Sequence, residues 1–153
     1  MINIKELKQN FAPRRAILAF DYGEKRLGLA VSDLLLMTAN PLPIINRSSF
    51  EKDVEQIKKV ITEKEVGALV YGLPLQMDGS EGTTATAARK FAEHIAQQIP
   101  LPYIFWDERL SSKAVENFLI KEVDMSRAKR KQILDSSAAC YILQGVLDAL
   151  RYA

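Results

Sequence analysis

The strongest constraint on the fold is a pair of apolar runs separated by a very short link. Residues Ala16–Asp21 and Leu27–Asp33 both have the pattern of buried strands, and only residues 22–26 lie between them. A link of this length that contains Gly23 is typical of a β-hairpin. The two runs are therefore expected to pair as antiparallel neighbours in one sheet.

A third strand is predicted within residues 35–46. Pro41 and Pro43 interrupt this segment, and proline favours an edge strand because it cannot donate a hydrogen bond to the ladder. Residues 1–15 precede the first strand, and we expect them to form a peripheral arm that ends near Pro13.

Helical and strand patterns alternate after residue 47. Ser48 and Glu51 have the spacing of a capping box, and the helix that they begin is expected to end at Gly67. Its apolar stripe comprises Phe50, Val54, Ile57 and Ile61. The next strand, Ala68–Gly72, is apolar throughout, which is typical of a strand covered on both faces. The remaining predicted elements are a loop (73–82), a helix that stops at Pro100, a strand (Tyr103–Glu108), a helix capped by Ser111 or Ser112, and a last helix over about residues 129–150.

This order of elements predicts an α/β fold. The sheet would be mixed and five-stranded, with three antiparallel strands followed by two parallel ones, and helices would cover both faces. A length of 153 residues is typical of one domain, so residues 1–153 are expected to form a single domain. The composition, 48% hydrophobic and 26% charged, excludes a mainly disordered chain.

Several classes of protein are excluded by what the sequence contains. The single cysteine cannot form an internal disulfide framework. With only one histidine in addition, the chain has no Cys/His cluster for zinc. No apolar stretch approaches the length of a membrane span, and the first fifteen residues contain no apolar region of a signal peptide. We therefore expect a cytosolic protein.

Acidic residues end two of the predicted strands. Asp21 follows an apolar run, and alternation places Glu108 on the face of Trp106 and Asp107 on the opposite face. Each also has a structural interpretation: Asp21 as the cap of a turn, and the later pair as partners of Arg109 or of the next helix N-terminus. Open α/β sheets place their sites at the carboxyl ends of parallel strands, which favours a functional role.

Asp135 stands at the head of the apolar stripe of the last helix. The stripe follows it at helical spacing and comprises Ala138, Ala139, Ile142, Val146 and Ala149. Capping a helix does not require this inward face, so Asp135 is expected to approach the sheet. Asp21, Asp135 and either Glu108 or Asp107 can then converge at one edge. Such a cluster of carboxylates needs cations to stay ionised, and Mg²⁺ or Mn²⁺ is the expected ion. Two such ions are the apparatus for displacement at a phosphodiester.

The charge is unevenly distributed although the net charge is only +2. Residues 1–15 and 121–131 each carry an excess of lysine and arginine. Such runs are compatible with a polyanionic ligand, although from charge alone solvated surfaces are their more common explanation.

Four blocks of the sequence resemble the YqgF/RuvX family. They are FDYGEKRLGLAVSD (20–33), GLPLQMDGSEG (72–82), DERLSS (107–112) and DSSAA (135–139). The blocks occur in the family's order and span nearly the whole chain. Ala19 replaces an expected glycine and Gln76 an expected asparagine, and neither touches the acidic positions.

The resemblance implies an RNase H-like fold and a nuclease of the bacterial cytoplasm. It would process the 5′ end of pre-16S ribosomal RNA or resolve Holliday junctions in DNA. A resolvase would act as a homodimer, because it needs two active sites on one junction. The family's acidic positions fall on Asp21, on Glu108 or Asp107, and on Asp135, which would be catalytic and would hold Mg²⁺ or Mn²⁺. The residues expected to contact nucleic acid are Lys25, Arg26, Arg109, Arg127, Lys129, Arg130 and Lys131.

Two other functions fit the sequence. The first is a nucleic-acid-binding module without catalysis, which would typically lack one of the acids. The second is an ATPase of the sugar-kinase and actin type, because Asp21-Tyr22-Gly23 resembles that superfamily's phosphate loop. Such enzymes enclose the nucleotide between two domains, and this chain is long enough for only one.

Overall fold

The structure is a computed structural model that describes residues 3–108 and 127–152, and for residues 127–137 it describes the backbone alone. The strands are β1 (Ala16–Asp21), β2 (Arg26–Ser32), β3 (Ala39–Asn46), β4 (Val66–Leu73) and β5 (Tyr103–Asp107). The helices are α1 (Ile4–Asn10), α2 (Phe50–Lys64), α3 (Thr83–Gln98) and α4 (Arg127–Arg151). The predicted helix capped by Ser111 or Ser112 lies outside the described residues.

The five strands form one mixed sheet in the order β3-β2-β1-β4-β5. Strands β1, β2 and β3 pair antiparallel, whereas β4 is parallel to both β1 and β5. The predicted sheet is therefore confirmed. β3, which carries Pro41 and Pro43, lies at one edge, as expected for residues that cannot donate to a ladder.

Helices cover both faces of the sheet, because alternate residues of the central strands point to opposite sides. On one face, Phe20 stacks on Tyr71 with 4.9 Å between ring centroids, and Phe91 of α3 packs edge-on against both. On the other face, Ile17 and Val70 pack with α4. Among the helices that the structure describes, none combines the length and apolar character needed to cross a bilayer.

The N-terminal segment is more than the peripheral arm expected from the sequence. Asn3 caps α1 by accepting a hydrogen bond from the backbone of Glu6 at 2.9 Å. Leu7 is completely buried and belongs to the apolar cluster beneath α4. With seven residues, one cap and only Ile4 and Leu7 as apolar positions, α1 is too short a pattern to be recognised in the sequence.

The predicted boundaries of α2 are wrong at both ends. The N-cap is Ser49, whose hydroxyl accepts from the backbone of Lys52, whereas Ser48 donates its backbone N–H to Asp53. The C-cap of the helix is Glu65, which adopts a left-handed conformation with φ 55°. Gly67, which was predicted to end the helix, lies within β4. The first error arises because the neighbouring Ser48 and Ser49 offer the same capping chemistry. The second arises because β4 already begins at Val66, so Glu65 adopts the left-handed conformation that glycine would favour.

Candidate active site

Asp21 is the last residue of β1 and lies at the carboxyl end of the central strands. It pairs with Gly28 of β2, and the parallel register of Phe20 with Tyr71 places Gly72 beside it on β4. Alternation along β1 puts Asp21 on the same face as Ile17 and Ala19, which is the face covered by α4.

Glu108 reaches the same face from β5. It continues the β4–β5 pairing by donating its backbone N–H to the carbonyl of Leu73 at 3.2 Å, and its side chain lies against Gly72. A Cβ on Gly72 would overlap Oε2 of Glu108 and would come within 2.5 Å of Cδ1 of Ile142 on α4. The missing side chain of Gly72 therefore makes the space that Glu108 occupies. Since adjacent strands are about 4.8 Å apart, the Glu108 carboxylate lies about one strand spacing from β1, which carries Asp21.

The carboxyl group of Glu108 lies in a poor environment for a negative charge. Its Oε2 atom is buried and has no hydrogen-bond partner among the residues that the structure describes. Burial, and secondarily the nearby charge of Asp107, raises the pKa of Glu108 from 4.5 to about 7. A buried oxygen of this kind requires a proton or a cation.

Asp107 is exposed and belongs to the face of Tyr103 and Phe105 by alternation. Of the two acids between which the sequence left the choice open, Glu108 is thus the one whose side chain meets Gly72 and Ile142. The charge of Asp107 contributes, after burial, to the raised pKa of Glu108.

Helix α4 brings Asp135 to the same end of the sheet. Ile142 lies over Gly72, while Arg151 donates to the carbonyl of Met37 at 3.3 Å, in the β2–β3 turn at the opposite edge. The helix therefore runs from the carboxyl edge of β1 toward its amino edge. Asp135 stands close to two full turns before Ile142, on the active-site side of it. Its side chain lies outside those that the structure describes.

A shallow pocket of about 360 Å³ adjoins Asp21. It is lined by the β1–β2 turn, including Lys25 and Arg26, and by Thr84 in the first turn of α3. Of the cationic residues predicted to contact nucleic acid, these two lie beside Asp21. Arg109 lies outside the described residues, and the structure places the backbone of Arg127, Lys129, Arg130 and Lys131 at the start of α4 without describing their side chains.

The donor set fits a hard divalent cation. Among the side chains that the structure describes, no group of three or more Asp, Glu, His or Cys residues is assembled around a metal position. Asp21 and Glu108 nevertheless lie on one face of the sheet, at the ends of the two strands that flank β4, and the buried Oε2 of Glu108 is the type of atom that a cation would satisfy. Carboxylate oxygens are the ligands preferred by Mg²⁺ and Mn²⁺.

Two residues next to the site were missed by sequence reasoning. Arg47 follows β3 and donates to the turn after Asp21, and Asp53 of α2 accepts from Arg47. Asp53 is 1% exposed although it is charged. A signal was present, because Asp53 stands one turn before Ile57 and so occupies the apolar face of its helix.

A mixed five-stranded sheet in this order, with helices on both faces, is the RNase H-like fold. Comparison with protein families gives the assignment within that fold. The model of the family described as "RuvX: Holliday junction resolvase" matches residues 15–149. The chain belongs to the RuvX family.

Relatives and solved structures agree with this assignment. A protein of Agrobacterium fabrum called "Putative pre-16S rRNA nuclease" is 46% identical over 97% of this chain and 93% of its own length. RuvC of T. thermophilus, solved with a Holliday junction substrate, superposes with a TM-score of 0.56 at 14% identity, covering 91% of this chain and 98% of that one. The fowlpox virus Holliday junction resolvase gives 0.53 at 12% identity, over 88% and 99% of the two chains. At these identities the structural likeness shows the fold.

Proposed function

We propose that the protein is a divalent-metal-dependent nuclease that hydrolyses a phosphodiester bond in the precursor of 16S ribosomal RNA. The observation that carries this proposal is the buried Oε2 of Glu108, which has no hydrogen-bond partner within the described part of the chain and lies about one strand spacing from β1, the strand that ends at Asp21. Burial of an ionisable oxygen without a partner costs stability, and such costs concentrate at functional sites.

The substrate is inferred from the relatives. The protein of Agrobacterium fabrum shares 46% identity across nearly the full length of both chains, and its name describes a pre-16S rRNA nuclease. A ribosomal RNA substrate would place the activity in the cytoplasm. The described strands form one sheet, which supports a single nuclease domain over residues 1–153.

In this proposal Asp21, Glu108 and Asp135 hold two Mg²⁺ or Mn²⁺ ions. Bound at a phosphodiester, such ions supply an activated water and charge stabilisation of the leaving oxygen. The chain's own contribution is to hold the carboxylates on one face. Gly72 leaves the space for Glu108, and α4 closes that side of the site.

Cationic residues of the chain would orient the nucleic acid. Lys25 and Arg26 line the pocket beside Asp21 and are positioned to contact phosphates next to the scissile bond. Arg109, Arg127, Lys129, Arg130 and Lys131 would extend this contact as a basic track, whose binding should weaken as salt increases.

The test is hydrolysis of a precursor RNA in Mg²⁺ or Mn²⁺ by the wild type and by Asp21→Asn, Glu108→Gln and Asp135→Asn. Each substitution keeps the shape of the side chain and removes its charge, so each should reduce kcat by 100-fold or more.

Asp107→Asn is the matched control. It removes an exposed carboxylate one residue from Glu108 and on the opposite face of the sheet, and its kcat should stay within a few-fold of wild type. Full activity of Asp21→Asn together with Asp135→Asn would overturn the mechanism. Loss of activity in Asp107→Asn with normal Glu108→Gln would exchange the roles of the two acids.

The family description favours a second candidate function, the cleavage of Holliday junctions. A four-way DNA junction assayed beside the RNA distinguishes the two. Symmetric nicking of the junction by a homodimer, measured with sedimentation of the complex, would favour the resolvase. A monomer bound to the junction would count against it.

A further inference from the structure

The guanidinium of Arg47 ties the turn between β1 and β2 to helix α2. Its Nη1 donates to the hydroxyl of Tyr22 and to the carbonyl of Gly23, both at 3.1 Å. Its Nε donates to Oδ2 of Asp53 at 3.3 Å. The side chain of Arg47 is 18% exposed and that of Asp53 is 1% exposed, so this ion pair is largely withdrawn from solvent. The turn that follows Asp21 is therefore bonded to a buried charge pair.

Two further contacts hold Arg47 at the turn, one through its backbone and one through its guanidinium. The backbone N–H of Arg47 donates to the carbonyl of Lys25 at 2.9 Å, which holds the far side of the turn. The guanidinium carbon lies 5.1 Å from the ring centroid of Tyr22 and 5.2 Å from that of Phe91. Asp53 is itself oriented, because its Oδ1 accepts from the backbone of Ser48 at 3.2 Å.

The turn has little freedom to move without breaking these contacts. A Cβ on Gly23 would meet the carbonyl oxygen of Arg26 at 2.5 Å, so the chain folds tightly on itself at this point. Asp21 stands two residues earlier, where β1 still pairs with Gly28. Because the turn joins the two strands of this pair, a displacement of the turn would act on the pair and so on Asp21.

We propose that Arg47, oriented by Asp53, is a positioning residue for Asp21. It would hold the β1–β2 turn against α2 so that the Asp21 carboxylate keeps its place on the face shared with Glu108. This inference rests on the proposed nuclease function only in the role given to Asp21. A fork of two donor positions suits arginine, whereas a lysine ammonium cannot bond Asp53 and the turn in the same geometry.

The variants separate positioning from general stabilisation. Arg47→Met removes every hydrogen bond of the guanidinium, Arg47→Lys keeps the charge, and Tyr22→Phe removes one acceptor. Val54→Ala is the control, because Val54 neighbours Asp53 on α2, is 6% exposed and cannot hydrogen-bond the turn. All measurements are made well below the unfolding temperature of each variant, so that every sample is folded.

The first measurement is amide hydrogen exchange over residues 21–26, which does not depend on activity. We expect exchange to increase at least tenfold in Arg47→Met, by less in Arg47→Lys, and least in Tyr22→Phe, relative to Val54→Ala. Exchange in the turn that is the same in Arg47→Met and Val54→Ala would overturn the proposal.

The second measurement is steady-state hydrolysis of the precursor RNA. A misplaced Asp21 should lower kcat of Arg47→Met by about 100-fold and leave KM for the RNA within threefold, with partial rescue in Arg47→Lys. A rise in KM with normal kcat would overturn positioning in favour of substrate contact.

The two proposals fail in different ways. If Asp21→Asn is fully active while the turn loosens in Arg47→Met, the nuclease assignment of Asp21 is wrong and the structural link from Arg47 to the turn stands. If Asp21→Asn is inactive but Arg47→Met keeps wild-type kcat, the positioning role is wrong and the nuclease function stands.

Discussion

Glu108→Gln should stabilise the protein at alkaline pH while it removes activity. The glutamine has the same shape as the protonated glutamate, so the two proteins should have similar stability at about pH 4.5. Burial raises the pKa of Glu108 to about 7, whereas its ordinary value is 4.5. Each tenfold change in proton affinity corresponds to about 1.4 kcal/mol, so the ionised side chain costs the folded state about 3 kcal/mol.

The sign follows from proton binding. Between pH 4.5 and 7 the native Glu108 retains a proton that the unfolded chain has released, so the free energy of unfolding falls as the pH rises through this range. Above pH 7 the full cost remains. Glu108→Gln lacks the titrating group, and its advantage over wild type should grow from near zero at pH 4.5 to about 3 kcal/mol at pH 8.

The assay is urea unfolding of both proteins in a metal chelator at several pH values from 4.5 to 8. At pH 8 the predicted difference is equivalent to about 6–12 °C in Tm for a chain of this size. Added Mg²⁺ should then stabilise wild type at pH 8 and leave Glu108→Gln nearly unchanged, because a cation would satisfy the ionised oxygen. A stability difference that does not vary with pH would refute the reasoning about Glu108.

Three further changes test the packing around the site. Gly72→Ala should lower the free energy of unfolding by about 1–3 kcal/mol and displace Glu108, measured by urea unfolding and by the Mg²⁺ concentration for half-maximal activity. Ser32→Ala should cost about 1–3 kcal/mol in urea unfolding, because the buried Ser32 hydroxyl accepts the N–H of Ile17 at 2.8 Å and that donor would be orphaned. Ala139→Leu should lower the free energy of unfolding in urea by about 1–3 kcal/mol, because Ala139 is completely buried where α4 meets the sheet and a larger side chain would overpack it. Unchanged stability would show that α4 can shift to accept the larger side chain.

The placement of Asp21 and Glu108 in the candidate site could be predicted from the sequence because the signals are local. Asp21 ends a strand whose apolar run is visible without any partner, and alternation along β5 separates Glu108 from Asp107. Those patterns depend on the period of a single element, which a sequence displays directly. The burial of the Glu108 oxygen could not be predicted in this way. It depends on the space over Gly72 of β4 and on Ile142 of α4, which are contributed by two other elements.

For the described residues after α1, the sequence by itself determined which segments become strands and helices, which faces are apolar, and that the proline-containing strand lies at an edge. Tertiary structure alone decided that Leu7 completes a core, that Ser49 caps α2, and that Arg47 and Asp53 meet at the turn after Asp21. The physical reason is the range of the interactions. Periodicity and capping chemistry act within a few residues, whereas burial, the choice between neighbouring caps and the pairing of charges depend on surfaces that become neighbours only when the chain has folded.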